Sequence, residues 1–116
     1  MITKVYKNEM PKVSGYINYY MVLYKGHHRW LKIGTSTRGT QRFNDKDYRK
    51  YTKIVPLYIF EVENEDEMYD FEDLGRTYLR NQKGLKFVKN DRFTFFRLPD
   101  ELPTFFFGKE DFVPTK

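Results

Sequence analysis

Apolar and polar positions along the chain predict a small α+β domain. Residues 16–25 are dense in β-branched and aromatic side chains, which is typical of a strand. After a turn at 26–29, residues 30–35 predict a second strand, so that the two form a β-hairpin. An apolar run bounded by charges at 54–63 predicts a third strand.

The clearest helix follows this third strand. Asn64 is a suitable N-cap, and Glu67 three residues later completes a capping-box pattern. Gly84 is a suitable stop. The apolar stripe at helical spacing is formed by Met68, Phe71, Gly75, Tyr78 and Leu79.

The remaining segments complete the predicted order β-β-α-β-α followed by short strands. Residues 38–52 are polar and predict a short basic helix with a loop, whereas 85–88 and 92–98 predict short strands. We therefore expect a single domain over 1–98, with a small mixed sheet flanked by helices. The phenylalanine-rich tail at 99–116 is expected to pack across this domain or to extend it as a contact surface.

Composition narrows the class of protein. The 116 residues suit one domain, and the 40% of apolar and 19% of aromatic residues exclude a disordered chain. The absence of cysteine excludes disulfides and thiolate metal sites and suits a reducing cytosol. Because no apolar run is typical of a signal peptide or a membrane span, we expect a cytoplasmic protein.

Charge is distributed unevenly within a net charge of +5. Residues 25–53 are rich in lysine and arginine, whereas 54–75 hold acids and no base. A basic surface beside an acidic cluster suits a metal-dependent enzyme acting on nucleic acid, with cations for the backbone and carboxylates for the metal. The alternative is that the two blocks face each other or solvent.

Two arginines follow Gly34, which lies near the end of the second predicted strand. Arg38 and Arg42 are four residues apart, so on a helix they share a face and can both bind phosphate oxygens. Thr35 and Ser36 add hydroxyl donors at the end of the strand. The alternative is that these are ordinary solvated arginines.

Two further side chains are candidates for chemistry. Glu72 lies about 40° from Met68 and about 20° from Leu79 around the helix, where a carboxylate is costly unless it is paired, hydrogen-bonded or metal-bound. The alternative is an edge carboxylate that reaches water or a lysine. Tyr20, in the middle of the first strand, would serve as a general base or orient water beside a metal, or would merely pack.

These stretches resemble the GIY-YIG nuclease superfamily, particularly a phage- and virus-rich branch whose second motif reads K-I-G. Residues 18–22, NYYMV, match the first motif, and residues 31–37, LKIGTST, match the second. Arg42 falls at the family arginine of the first helix. Residues 68–79 resemble the helix that bears the metal-binding glutamate, which corresponds to Glu72.

The resemblance implies a small, phage-encoded endonuclease that hydrolyses phosphodiester bonds in DNA with one Mg²⁺ or Mn²⁺. Glu72 would hold the metal, which polarises the scissile phosphate. Arg42 would neutralise the growing charge on the phosphoryl group. Tyr20 would activate or position water, with Lys32 or Arg38 as further phosphate contacts.

The chain departs from the family at the first motif. Asn18 stands where the family has glycine, and an alignment on Gly15 would move the tyrosine role from Tyr20 to Tyr16. A second hypothesis is therefore an inactive module of the same fold that binds nucleic acid or a host protein and inhibits it. A third is a subunit that dimerises through the aromatic patch at 105–107.

Overall fold

The computed structural model of the protein describes residues 2–95, which form strands and short helices. The elements in chain order are β1 (Ile2–Lys7), β2 (Ile17–Lys25), β3 (His28–Ser36), a 3₁₀ helix (Gly39–Asn44), α1 (Lys46–Arg49), β4 (Lys53–Val62), α2 (Glu65–Arg80), β5 (Leu85–Phe87) and β6 (Arg92–Phe95). The expectations for the tail at 99–116, including the patch at 105–107, lie outside the described residues. Within 2–95, no helix is long and apolar enough to cross a membrane.

The strands form one six-stranded sheet in the order β1-β4-β2-β3-β6-β5. The predicted hairpin is confirmed, because β2 and β3 pair along their whole length with Tyr19 opposite Gly34. Every pairing between these strands is antiparallel, which corrects the expected mixed sheet. The pattern also missed β1, whose register with β4 shifts between Ile2 and Lys4.

The two faces of the sheet are covered by different helices. Consecutive residues of a strand point to opposite faces. Tyr20 lies in the core beneath α2, together with Met68 and Leu79. Tyr19 lies in the core on the other face, where Tyr48 of α1 packs against the sheet. The neighbouring tyrosines of β2 are thus separated by the sheet.

The helix α2 follows the predicted pattern. The Asn64 side chain accepts a 2.9 Å hydrogen bond from the Glu67 backbone N–H, as the capping box requires. Met68, Gly75 and Leu79 are its buried residues, so the predicted stripe does face the sheet. The helix ends at Arg80, before the predicted glycine stop.

The basic segment after β3 is less regular than predicted, with a 3₁₀ helix and the single turn of α1 in place of one helix. It has few apolar anchors, so tertiary contacts hold it instead. The Thr40 backbone N–H donates to the Val13 carbonyl at 2.9 Å, and the Val13 N–H donates to the Thr40 hydroxyl at 3.1 Å. Tyr48 is buried against the sheet.

Gly34 is required by the close approach of the Tyr19 ring. A methyl group at Gly34 would overlap the Tyr19 phenol, which is itself buried and unable to yield. We expect Gly34→Ala to lower the free energy of unfolding by about 1–3 kcal/mol, the usual range for overpacking a core. Urea denaturation followed by circular dichroism measures it.

The matched control is Gly15→Ala, because nothing lies within 4 Å of a methyl group there. This control should leave the unfolding midpoint unchanged or raise it slightly. Equal midpoints for the two variants would show that the Tyr19 ring does not need the glycine.

Candidate functional site

An open pocket of about 440 Å³ lies on the face of the sheet that α1 covers. Its wall combines tyrosines with acidic and basic side chains, among which the basic ones are the more numerous. A concentration of cations in a concave site favours an anionic ligand such as phosphate. The basic side chains are Lys32, Arg42, Lys50 and Arg92.

A second pocket of about 400 Å³ adjoins the first, because Arg42 lines both. Thr35, Ser36 and Arg38 lie in the second pocket, and Lys32 lies in the first. The structure therefore brings all four residues expected to contact phosphate to one groove, on either side of Arg42.

Arg38 and Arg42 converge on one carboxylate oxygen. Arg38 Nη2 donates to Asp45 Oδ2 at 2.5 Å, and Arg42 Nη1 donates to the same oxygen at 2.7 Å. The second arm of Arg42 reaches Asp47 Oδ2 at 3.2 Å. The hydrogen bond from Arg38 is the main cause that holds the pKa of Asp45 below its usual range. The two guanidinium groups are thus already arranged to share one anionic oxygen.

A pair of buried tyrosines lies beside Arg42. The hydroxyl groups of Tyr19 and Tyr48 are hydrogen-bonded to each other, and the Arg42 guanidinium lies 5.0 Å from the centre of the Tyr48 ring. Burial raises the pKa of both phenols. Both hydroxyls therefore stay protonated at neutral pH, which suits hydrogen bonding and positioning better than proton abstraction.

Tyr20 does not belong to this arrangement. It is 1% exposed in the core beneath α2, and its hydroxyl has no hydrogen-bond partner within residues 2–95. The alternative candidate, Tyr16, also packs against that core. We therefore correct the expected position: the tyrosine on the side of Arg42 is Tyr19. Tyr19 and Tyr20 are neighbours in β2 and therefore point to opposite faces of the sheet. The motif did not show which of the two points to the side of Arg42.

Glu72 is largely buried, with 15% of its side chain exposed, and its Oε1 lies 3.3 Å from Arg76 Nη2. Arg76 also binds Asp91 through two hydrogen bonds of 2.6 and 3.1 Å. Burial raises the pKa of Glu72, the Arg76 charge opposes that rise, and the Asp91 charge adds to it. Two carboxylates, Glu72 and Asp91, are therefore close enough to influence each other across one guanidinium.

Lys32 connects this acidic cluster with Arg42. Its ammonium group donates to the Asn90 carbonyl at 2.6 Å. Burial lowers the pKa of Lys32, the charges of Asp91 and Glu72 oppose this effect, and the charge of Arg42 reinforces it. The charge of Glu72 also raises the pKa of Tyr19, whereas that of Arg42 lowers it. The charges of Arg42 and Glu72 thus act on both Tyr19 and Lys32, and the four side chains come from four different elements.

The carboxylates of this cluster suit only a divalent ion that needs one or two protein ligands. Within 2–95, no group of three or more acidic or histidine side chains could hold a metal without help. Mg²⁺ often binds through one or two carboxylates while it keeps waters and takes substrate phosphate oxygens. Glu72 and Asp91 are two such carboxylates, and because Arg76 is paired with both, a divalent ion between them would have to displace its guanidinium.

Sequence reasoning missed four members of the site: Tyr19, Tyr48, Arg76 and Asp91.

Comparison of the chain with models of protein families, with curated proteins and with solved structures found no match. The chemistry of the site is therefore argued from its own geometry.

The bridging carboxylate of Asp45 generates a testable prediction. Asp45→Asn removes the charge that occupies Arg38 and Arg42, so inorganic pyrophosphate should bind roughly three- to tenfold more tightly. Isothermal titration calorimetry at constant ionic strength measures the affinity.

Asp70→Asn is the control, because it makes the same change of net charge on the exposed side of α2. It should leave the affinity unchanged. An equal gain in both variants would mean that net charge, and not the bridge between the two arginines, governs anion binding.

Proposed function

We propose that the protein is a small divalent-metal-dependent endonuclease of the GIY-YIG type that hydrolyses phosphodiester bonds in DNA. The observation that carries this proposal is the pocket that Lys32 and Arg42 share with Asp91, where the charge of Glu72 on α2 also acts on Lys32 and Tyr19. Cations for a phosphate, a carboxylate for a metal and a hydroxyl group for water are the parts that phosphodiester hydrolysis needs.

Phosphate binding falls to the basic residues of the two pockets. Arg42 lies where the pockets meet, so it contacts the scissile phosphate and neutralises charge that grows on the phosphoryl oxygens. Lys32 adds a second positive charge on the side towards Glu72. Arg38, with the hydroxyls of Thr35 and Ser36, holds a neighbouring phosphate in the second pocket.

Two carboxylates, those of Glu72 and Asp91, would hold the metal at the other end of the site. A divalent ion held by Glu72, with Asp91 nearby, would supply polarisation of the scissile phosphate and stabilisation of the leaving oxygen. Tyr19 is buried, so it acts on the attacking water through Tyr48, which lines the first pocket and whose hydroxyl it holds in place. Both tyrosines act as neutral hydrogen-bonding groups, because burial keeps their hydroxyls protonated.

A second candidate is an inactive module that binds nucleic acid or a host protein. It is favoured by the ion pairs that already occupy the functional groups. Arg76 contacts Glu72, and Asp45 and Asp47 hold Arg42. If these pairs persist when the ligand binds, neither the metal nor the phosphate reaches its place.

A plasmid-nicking assay tests the proposal. Supercoiled plasmid should be nicked in Mg²⁺ or Mn²⁺ and left intact in EDTA. Glu72→Gln and Arg42→Ala should each slow nicking at least about 100-fold, because each removes a group that acts on the transition-state charge. Circular dichroism confirms that the variants fold.

Matched controls separate the site from general charge effects. Glu65→Gln and Arg49→Ala make the same charge changes at exposed positions and should retain nicking. Metal-independent binding without cleavage, unaffected by both site variants, would support the inactive module and contradict the nuclease.

A further inference from the structure

A row of side chains on β3 leads away from the phosphate pocket. His28, Trp30, Lys32 and Gly34 alternate along the strand and therefore lie on one face of the sheet, spaced about 6.6–6.8 Å apart. Gly34 accommodates Tyr19, and Lys32 lines the first pocket. The row thus changes from cationic to aromatic towards the turn of the hairpin.

Aromatic and guanidinium groups gather around Trp30. The His28 ring lies 5.8 Å from the Trp30 ring at an angle of 16°, and the Tyr51 ring lies 6.1 Å away. The Arg92 guanidinium lies 4.9 Å from the centre of the indole ring, and its Nη1 donates to the Tyr51 hydroxyl at 3.3 Å. We call His28, Trp30, Tyr51 and Arg92 the aromatic array.

The aromatic array is continuous with the phosphate pocket. Tyr51 and Arg92 belong to the array and also line the pocket that holds Lys32 and Arg42. A ligand in that pocket therefore reaches the array without leaving the surface. His28 is exposed, so one end of the array is open to solvent.

We propose that the aromatic array binds an unpaired base, and that the groove takes single-stranded nucleic acid. This deepens the proposed function, on which it rests for the assignment of the phosphate pocket. Proteins that bind single strands combine a cationic groove for the backbone with aromatic rings on which bases stack, and arginine adds cation–π contacts. A base inside a duplex has both faces covered by its neighbours and cannot stack on the array, so only the terminal pairs of a duplex offer a free face.

The charge of the adjoining pocket favours this ligand over an apolar peptide. The pocket beside the array is lined by the cations Lys32, Arg42, Lys50 and Arg92, which a phosphate backbone neutralises. Only a ligand that carries both phosphates and flat rings uses the pocket and the array together.

Trp30 makes the proposal directly measurable, since it is the single tryptophan of the chain. Its fluorescence should be quenched when a thymidine or uridine 12-mer stacks on the exposed His28 ring, which is itself stacked on Trp30. An abasic deoxyribose-phosphate 12-mer and a 12-base-pair duplex should quench it little or not at all. Equal quenching by all these probes, or none by the single strands, would overturn the proposal. The thymidine and uridine arms show whether DNA or RNA is preferred.

Variants test whether stacking contributes to affinity, with labelled oligonucleotides followed by fluorescence anisotropy. Trp30→Leu should weaken single-strand binding about tenfold and leave duplex binding unchanged. His28→Ala, at an exposed position, should weaken it less and guards against a folding defect in Trp30→Leu. The control Tyr6→Leu removes an aromatic ring at the far edge of the sheet, on β1, and should change neither affinity. Unchanged single-strand affinity in both array variants would contradict the proposal.

The two proposals fail in different ways. If the array has no role in binding, quenching is absent while metal-dependent nicking that requires Glu72 remains. If the nuclease proposal fails, no phosphodiester bond is cut, but single strands still quench Trp30.

Discussion

The position of Arg42 depends on the buried Tyr19 phenol, which packs against Gly34 and hydrogen-bonds to the Tyr48 hydroxyl. Because Gly34 lacks a side chain, the Tyr19 ring lies close against β3 and reaches the basic segment, where the Phe43 ring meets it edge-on at 4.8 Å. Arg42 in turn lies over Tyr48. The hairpin therefore fixes a short segment that has little regular structure of its own, and with it the central arginine.

The electrostatics of the site balance burial against opposite charge. Burial disfavours the charged forms of Glu72 and Lys32, and nearby groups of opposite charge oppose that effect for both. Arg42 and Arg76 are each held by carboxylates. A phosphate would replace the carboxylates that now hold Arg42, and a divalent cation would replace the Arg76 guanidinium that now pairs with Glu72. Each ligand has the same sign of charge as the group it replaces. The arrangement thus suits a ligand that brings both charges together.

The sequence predicted what local patterns determine. The helix α2 and the hairpin were found because capping, helical spacing and β-rich runs are short-range signals. The side of the sheet to which Tyr19 and Tyr20 point depends on how strands and helices pack, so the motif alone did not show that Tyr19, and not Tyr20, lies on the face that carries Tyr48 and Arg42. Asp91 contacts Arg76 because β6 pairs with β3. No local spacing in the sequence predicts that pairing.

The most direct test compares two adjacent substitutions that remove one hydroxyl each. Tyr19→Phe should slow metal-dependent nicking about tenfold or more, since its hydroxyl holds that of Tyr48, which lines the first pocket. Tyr20→Phe should retain full nicking and equal or greater resistance to urea, because its buried hydroxyl has no partner within residues 2–95. Loss of nicking in Tyr20→Phe, with Tyr19→Phe unaffected, would contradict the account.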